Sequence, residues 1–153
     1  MAYELTLALI KPTLLAQQSQ VTAVLREIKS AGFDIARTQR HHWTIEEAQA
    51  FYAEHDGKFY FPRLVASATQ APMMALALAA PSAITKWRQL MGPTHVYKAQ
   101  WTHPTCLRAR YGISDTRNAF HGSDSPQSAA RELALAFEGF DTQWWLNRAK
   151  EAR

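Results

Sequence analysis

The 153-residue chain contains one cysteine, Cys106, so no internal disulfide framework holds it together. A lone thiol points to a reducing compartment, and its ordinary role is a buried, inert one. No apolar run approaches the ~20 residues that a membrane-spanning helix needs. The longest, Ala71 to Ala80, is short and broken by Pro72. The opening residues lack the layout of a secretory signal and the Arg- and Ser-rich pattern of a transit peptide, so neither is expected. Internal repeats, low-complexity tracts and linkers are missing too, and a single domain over 1–153 is the expectation. Neither H-E-x-x-H nor C-x-x-C spacing occurs, which argues against a metal site built from His41, His42, His55, His95 or His103. Charge of one sign is also scarce: 17 Lys and Arg stand against 13 Asp and Glu, a net +4 spread along the chain. That leaves open a nucleic-acid surface and equally a pocket whose cations meet a few phosphates.

What is present is a core. Hydrophobic residues make up 47% and aromatics 11%, enough for a folded domain of this length. Tyr3 to Ile10 reads as a buried strand stopped by Pro12, with Lys11 at its exit. Val21, Val24, Leu25 and Ile28 share one face of a helix over Ser19 to Ala31, stopped by Gly32. Phe33 to His42 alternates as a second strand. Thr44 and Glu47 form a capping box for a helix through about His55, and a further helix spans Tyr60 to about Thr69. Met73 to Ala79 is a third strand, and a helix begins at Pro81-Ser82 and runs through Leu90 to Gly92-Pro93. Thr94 to Arg117 shows no period and reads as a long ordered loop. Asn118 to Gly122 is the last strand or its exit, and Ser125 caps a helix to Phe137 with Pro126 at its first position. In the tail, Glu138 to Arg153, Trp144 and Trp145 are expected to anchor onto the body. This order predicts an α+β fold of the ferredoxin-like, split-βαβ kind, with a four-stranded antiparallel sheet covered by helices.

The stretch richest in chemistry is Asn118-Ala119-Phe120-His121-Gly122-Ser123-Asp124-Ser125. A histidine stands beside a glycine that permits close approach. Small polar groups and a helix N-terminus that attracts anions follow. His121 there can act as a nucleophile toward an anionic group. Glu132, about two turns along at ~3.6 residues per turn, can hold one ring nitrogen so that the other is free. Taken alone, the segment fits a capped helix beside a packed histidine at least as well. Lys11, Arg88 and Arg108 fall at element ends or in the long loop, where they either converge on phosphate or are solvated surface. Thr94 either donates a hydroxyl or closes a turn.

The eight-residue stretch resembles the active-site signature of nucleoside diphosphate kinases, N-x-x-H-G-S-D-[SA]. Ala8-Leu9-Ile10-Lys11-Pro12 resembles the family's I-K-P segment. Phe51-Tyr52, Tyr60-Phe61 and Leu64-Val65 resemble its nucleotide-clamping helical hairpin. Trp87-Arg88, Met91-Gly92, Thr94, Leu107-Arg108 and Ser128-Ala129 with Glu132 extend the likeness from about Leu5 to Phe137. The resemblance implies a ping-pong transfer of the γ-phosphate of a nucleoside triphosphate to a nucleoside diphosphate through phospho-His121. Ser123 and Glu132 would orient the ring, and Tyr52 would limit its motion. Lys11, Arg88, Thr94 and Arg108 would hold phosphates bridged by Mg²⁺. Asn118 would bond the ribose hydroxyl, Tyr60 would stack on the base, and Leu64 would lie beside it. The same resemblance implies a homo-oligomer, a hexamer or a smaller assembly, with no membrane and no nucleic-acid partner. Several stretches, including Ser114-Asp115-Thr116-Arg117-Asn118, are most similar to the divergent, partly mitochondrial branch. The expected compartment is therefore the cytoplasm, with the mitochondrial matrix as the alternative.

The chain departs from the family pattern at Thr13-Leu14, Arg108-Ala109-Arg110 and Asp115, and in a Thr94 to Arg108 segment a few residues longer than usual. A loosely held loop would misplace Arg108. The alternative function is thus a nucleotide-binding or regulatory module with weak or no turnover that needs a partner.

Overall fold

The computed structural model describes residues 3–115 and 117–151; Thr116, within the expected loop, and the last two residues of the expected tail lie outside them. Four strands form one sheet: β1 (Tyr3–Ile10), β2 (Asp34–His41), β3 (Met73–Pro81) and β4 (Phe120–Gly122). Their order is β2-β3-β1-β4 and every neighbouring pair is antiparallel. The fold is the expected ferredoxin-like α+β arrangement.

The register of β1 against β3 explains how helices cover both faces. Leu5, Leu7 and Leu9 stand opposite Ala79, Ala77 and Ala75, while Ala8 and Thr6 stand opposite Leu76 and Leu78. Each face therefore pairs a large side chain with a small one, which leaves room for helices to seat. On the even-numbered face, Ala8, Ile10, Leu76 and Leu78 pack with Val21, Val24 and Ile28 of α2 (Gln18–Ser30) and Trp87 and Met91 of α5 (Ala83–Met91). On the other, Leu5, Leu7 and Leu9 pack with Ala48 and Phe51 of α3 (Ile45–Phe51), Val65 and Ala68 of α4 (Phe61–Thr69), and Leu133 of α8 (Pro126–Ala136).

Local signals set most boundaries. Thr44 accepts from the Glu47 N–H while the Glu47 carboxylate accepts from the Thr44 N–H, so the capping box is complete. Ser125 Oγ accepts from the Ser128 N–H, and Pro126 opens α8. Several expectations need correction. A four-residue helix, α1 (Pro12–Leu15), follows Lys11 directly and buries Leu14 and Leu15. The helix expected through His55 stops at Phe51; Tyr52 leaves the helical region, and Ala53–His55 forms a 3₁₀ turn. β3 runs on to Pro81, so α5 starts later, at Ala83. The expected loop holds two helices, α6 (Val96–Thr102) and α7 (Leu107–Tyr111). The sequence shows no period there because α6 buries only Val96 and Ala99, too narrow a stripe, and α7 is barely more than one turn. In α9 (Thr142–Glu151), Trp145 packs on the core as expected, but Trp144 is 54% exposed beneath the Arg148 guanidinium.

The α6–α7 segment is tied down. Arg110 makes a two-pronged ion pair with Glu27 of α2, at 2.6 and 3.0 Å. Asp115 accepts from the Val96 N–H at 3.3 Å and stands 2.8 Å from His95 Nδ1. Gly92, at φ +82°, ends α5 where an added Cβ would collide with the Cys106 side chain. Gly57 has a similar φ, +87°, in open space. Gly57→Ala carries a positive-φ penalty of about 1–2 kcal/mol, whereas Gly92→Ala combines a glycine-only backbone region (φ +82°, ψ −172°), costing about 1–3 kcal/mol, with overpacking of about 1–3 kcal/mol. Thermal denaturation is expected to show Gly92→Ala as clearly the less stable; equal losses would mean that the α5–Cys106 contact carries no weight.

Candidate functional site

Sheet register aims the histidine. His121 of β4 pairs with Leu9, whose side chain lies on the face covered by α3, α4 and α8. Its imidazole therefore emerges on that face, while Phe120 points to the opposite core. There it meets Phe51 edge-on at 5.0 Å and Tyr52 at 6.4 Å. His121 Nε2 lies 2.9 Å from Glu132 Oε1. The Ser123 hydroxyl donates to the same oxygen at 2.8 Å, and Ser123 Oγ accepts from the Leu7 N–H at 3.1 Å. Glu132 and Ser123 are buried, whereas the His121 side chain keeps 20% of its surface. The carboxylate fixes the proton on Nε2, leaving Nδ1 as the basic, nucleophilic nitrogen.

The backbone carbonyl of His121 is also held: Trp87 Nε1 donates to it at 3.0 Å. This requires the α5 helix to press on β4, and Gly122 makes room. A Cβ there would stand 2.5 Å from Trp87 Cδ1 and 2.6 Å from Met91 Cε. The close approach that Gly122 permits is thus to the protein's own indole.

A cleft of about 690 Å³ opens in front of the imidazole. It is lined by His121, Glu132, Tyr52, Lys11, Tyr60, Leu64, Arg88, Thr94, Arg108 and Asn118, so all the residues singled out in the sequence meet there except Ser123, which lies behind Glu132. Three regions distant in sequence deliver the cations and hydroxyl: the end of β1, the last turn of α5 with the turn after it, and α7.

The electrostatics favour an anion. Lys11 is 8% exposed and donates to Asn118 Oδ1 at 3.0 Å; burial, then the nearby Arg108, lowers its pKa to about 7. Arg108 donates to the carbonyls of Gly92 and Phe120 at 2.9 and 3.1 Å, and its Nε is buried with no partner. Burial is the main reason its pKa falls to about 10. No carboxylate is paired with either cation among the described interactions, so an incoming anion would supply the missing charge. Burial, then the Glu132 charge, raises the Tyr52 phenol, which stays neutral. Asp124, on the cleft wall, is held below the usual carboxylate range by hydrogen bonding from Ser128, then Ser125, and by the Arg88 cation.

Trp87, Phe51, Asp124 and Ala119 fall within the family-like segments, but sequence reasoning gave none of them an individual role. Ala119 adopts φ +77°, and its carbonyl accepts from the Lys11 N–H at 2.9 Å. That kink lets Asn118 reach Lys11 while His121 remains in the strand. Nothing in residue type announces it, since alanine rarely takes this conformation. Asp115, one of the departures, lines the cleft and caps α6. Among the described residues, no group of three or more His, Cys, Asp or Glu is placed to hold a metal ion, and no helix is long and apolar enough to cross a membrane.

Comparison with known proteins bears on the family and the fold. The family model described as nucleoside diphosphate kinase matches residues 4–142. Nucleoside diphosphate kinase 6 of Mus musculus is 46% identical over 144 residues, covering 94% of this chain and 76% of the relative. The protein of the same name from Danio rerio is 44% identical over 147 residues, covering 96% and 83%. Nucleoside diphosphate kinase homolog 5 of Danio rerio is 43% identical, covering 88% and 60%. The crystal structure of the Aquifex aeolicus nucleoside diphosphate kinase superposes with a TM-score of 0.86 at 33% identity, covering 90% of this chain and 97% of that one. With a family model spanning most of its length and relatives of this identity, the chain belongs to the nucleoside diphosphate kinase family.

Proposed function

We propose that the protein is an active nucleoside diphosphate kinase that carries the γ-phosphate on His121. The observation that carries the reading is the buried Glu132 carboxylate on His121 Nε2, with Nδ1 left to a cleft walled by Lys11, Arg88 and Arg108. In the first half-reaction Nδ1 attacks the γ-phosphorus of a nucleoside triphosphate. The N–P bond forms as the bond to the β–γ bridging oxygen breaks, and the diphosphate leaves with that electron pair. Glu132 stabilises the imidazolium character that builds on the ring. The second half-reaction is the reverse with a different diphosphate, whose terminal oxygen takes the phosphoryl group. Arg88, Arg108, Lys11 and Thr94 offset the charge on the transferring group. Asn118, braced by Lys11 and by its own bond to the Asp115 carbonyl at 2.8 Å, faces the cleft where a ribose hydroxyl would lie. Tyr60 and Leu64 offer an apolar platform that tolerates any base, since every base has a π-face.

Mg²⁺ fits this cleft in a particular way. The ion commonly keeps its waters and binds through one or two carboxylates plus substrate phosphates. Of the carboxylates lining the cleft, Asp124, held ionised beside Arg88, would take that part. When bound with the nucleotide, the ion would neutralise phosphate charge. The exposed Tyr97 and Trp101, one helical turn apart on α6, support self-association, and a hexamer is the assembly we propose. The free, buried Cys106 is in keeping with a reducing cytoplasm.

Incubation with radiolabelled ATP and Mg²⁺ is expected to leave acid-labile, alkali-stable label on the protein, absent from His121→Ala and discharged by GDP. Nucleotide binding without label would instead assign the non-catalytic alternative. A second expectation concerns protons. Lys11, with its folded pKa near 7 against an ordinary 10.5, is largely neutral at pH 8, and bound phosphate favours its charged form. ADP binding at pH 8 should therefore take up close to one proton, and affinity should fall by up to about tenfold per pH unit above 7. Calorimetry in two buffers of different ionisation enthalpy reads this directly; uptake that persists in Lys11→Gln would refute the assignment. For assembly, multi-angle light scattering is expected to give six chains, and a monomer at every concentration would remove the proposed hexamer.

A further inference from the structure

The nucleotide platform is not a free-standing ring. Tyr60 precedes α4 and lies half-buried on the cleft wall. Its phenol oxygen is 2.7 Å from His55 Nδ1, a side chain delivered by the 3₁₀ turn that interrupts the expected helix. The two rings meet at 5.4 Å between centroids, and Phe59 closes edge-on against Tyr60 at 5.5 Å. On its other side, His55 faces Tyr52 at 6.3 Å, and Tyr52 faces His121. The Glu54 carboxylate stands 3.8 Å from His55 Nε2 and favours the proton on that nitrogen, which makes Nδ1 the acceptor for the phenol proton.

Neither group is used by phosphoryl transfer, yet both line the cleft. A half-buried side chain on a cleft wall, left without a polar partner, would ordinarily sample several rotamers, and a stacking ring that must be ordered on binding costs affinity. A tyrosine whose hydroxyl is already bonded has fewer orientations to lose. We infer that His55 is a positioning residue, which holds the Tyr60 ring in its stacking orientation through the Nδ1–phenol hydrogen bond and thereby sets nucleotide affinity. This deepens the proposed function and rests on it only in taking Tyr60 as the platform for the base. His55 touches no reacting atom in this scheme, so its effect falls on binding and leaves the chemical step alone.

The test uses the whole 153-residue chain and ATP with GDP. His55→Leu is expected to raise KM for GDP and the Kd for ADP by roughly 3- to 10-fold, the range of one net hydrogen bond, with kcat within twofold. Tyr60→Phe should show the same rise, and adding His55→Leu to it should cost nothing further, because the bond is already gone. His55→Asn, which still offers an acceptor at that place, should recover most of the affinity. Three results would each overturn the inference: no change in KM or Kd, a fall in kcat at constant KM, or fully additive losses in the double variant. Calorimetric ADP affinity keeps the two ideas separate. If wild type binds ADP and His55→Leu weakens it while no phosphate is transferred, the kinase reading fails and the positioning role stands. If wild type binds no ADP at all, both fail.

Discussion

One oxygen atom organises the site. Glu132 Oε1 accepts from the His121 ring at 2.9 Å and from the Ser123 hydroxyl at 2.8 Å, in a buried setting where a carboxylate needs every partner it can find. Ser123 in turn accepts from the backbone of β1. The chain from strand to hydroxyl to carboxylate to imidazole fixes both the tautomer and the direction of the ring. Because the links are buried and short, the ring cannot turn without breaking several at once. The remaining site geometry only has to bring a ligand to the nitrogen left over.

Charge is the complementary constraint. The protein places Lys11 and Arg108 out of water and gives them carbonyl and amide oxygens as partners. Such an arrangement is costly in the free protein, as the lowered pKa values of both groups record. It is also selective, since only a ligand carrying several negative charges relieves it. The unpaired Nε of Arg108 belongs to the same account. The departures from the family pattern do not loosen this cradle: Arg110 binds Glu27, and Asp115 closes the start of α6.

Much of this was legible in the sequence, for identifiable reasons. β1 and β3 announced themselves because each buries both faces, which leaves uninterrupted apolar runs. α8 and its cap were readable because Ser125-Pro126 states its own geometry. Convergence of Lys11, Arg88, Thr94, Arg108 and Asn118 on His121 followed from the family resemblance, whereas spacing alone left those residues indistinguishable from solvated surface. What stayed hidden depends on tertiary contact. The indole of Trp87 beneath His121, the edge of Phe51 and the kink at Ala119 leave no mark in local composition. Helices α6 and α7 are too short and too narrowly buried to produce a period. Trp144 shows the opposite error: an aromatic side chain expected to anchor rests on an arginine at the surface.

The position of β4 in the chain has a temporal consequence. Its three residues dock beside β1, which was made more than a hundred residues earlier, and the carboxylate that steadies the ring comes later still, on α8. A ribosome that has released only the first three strands has produced most of the hydrophobic sheet and Lys11, yet neither Arg88 nor Arg108 nor anything able to store a phosphoryl group. The nascent polypeptide is therefore chemically silent until its last third emerges, and truncated products would be folded in part but inert.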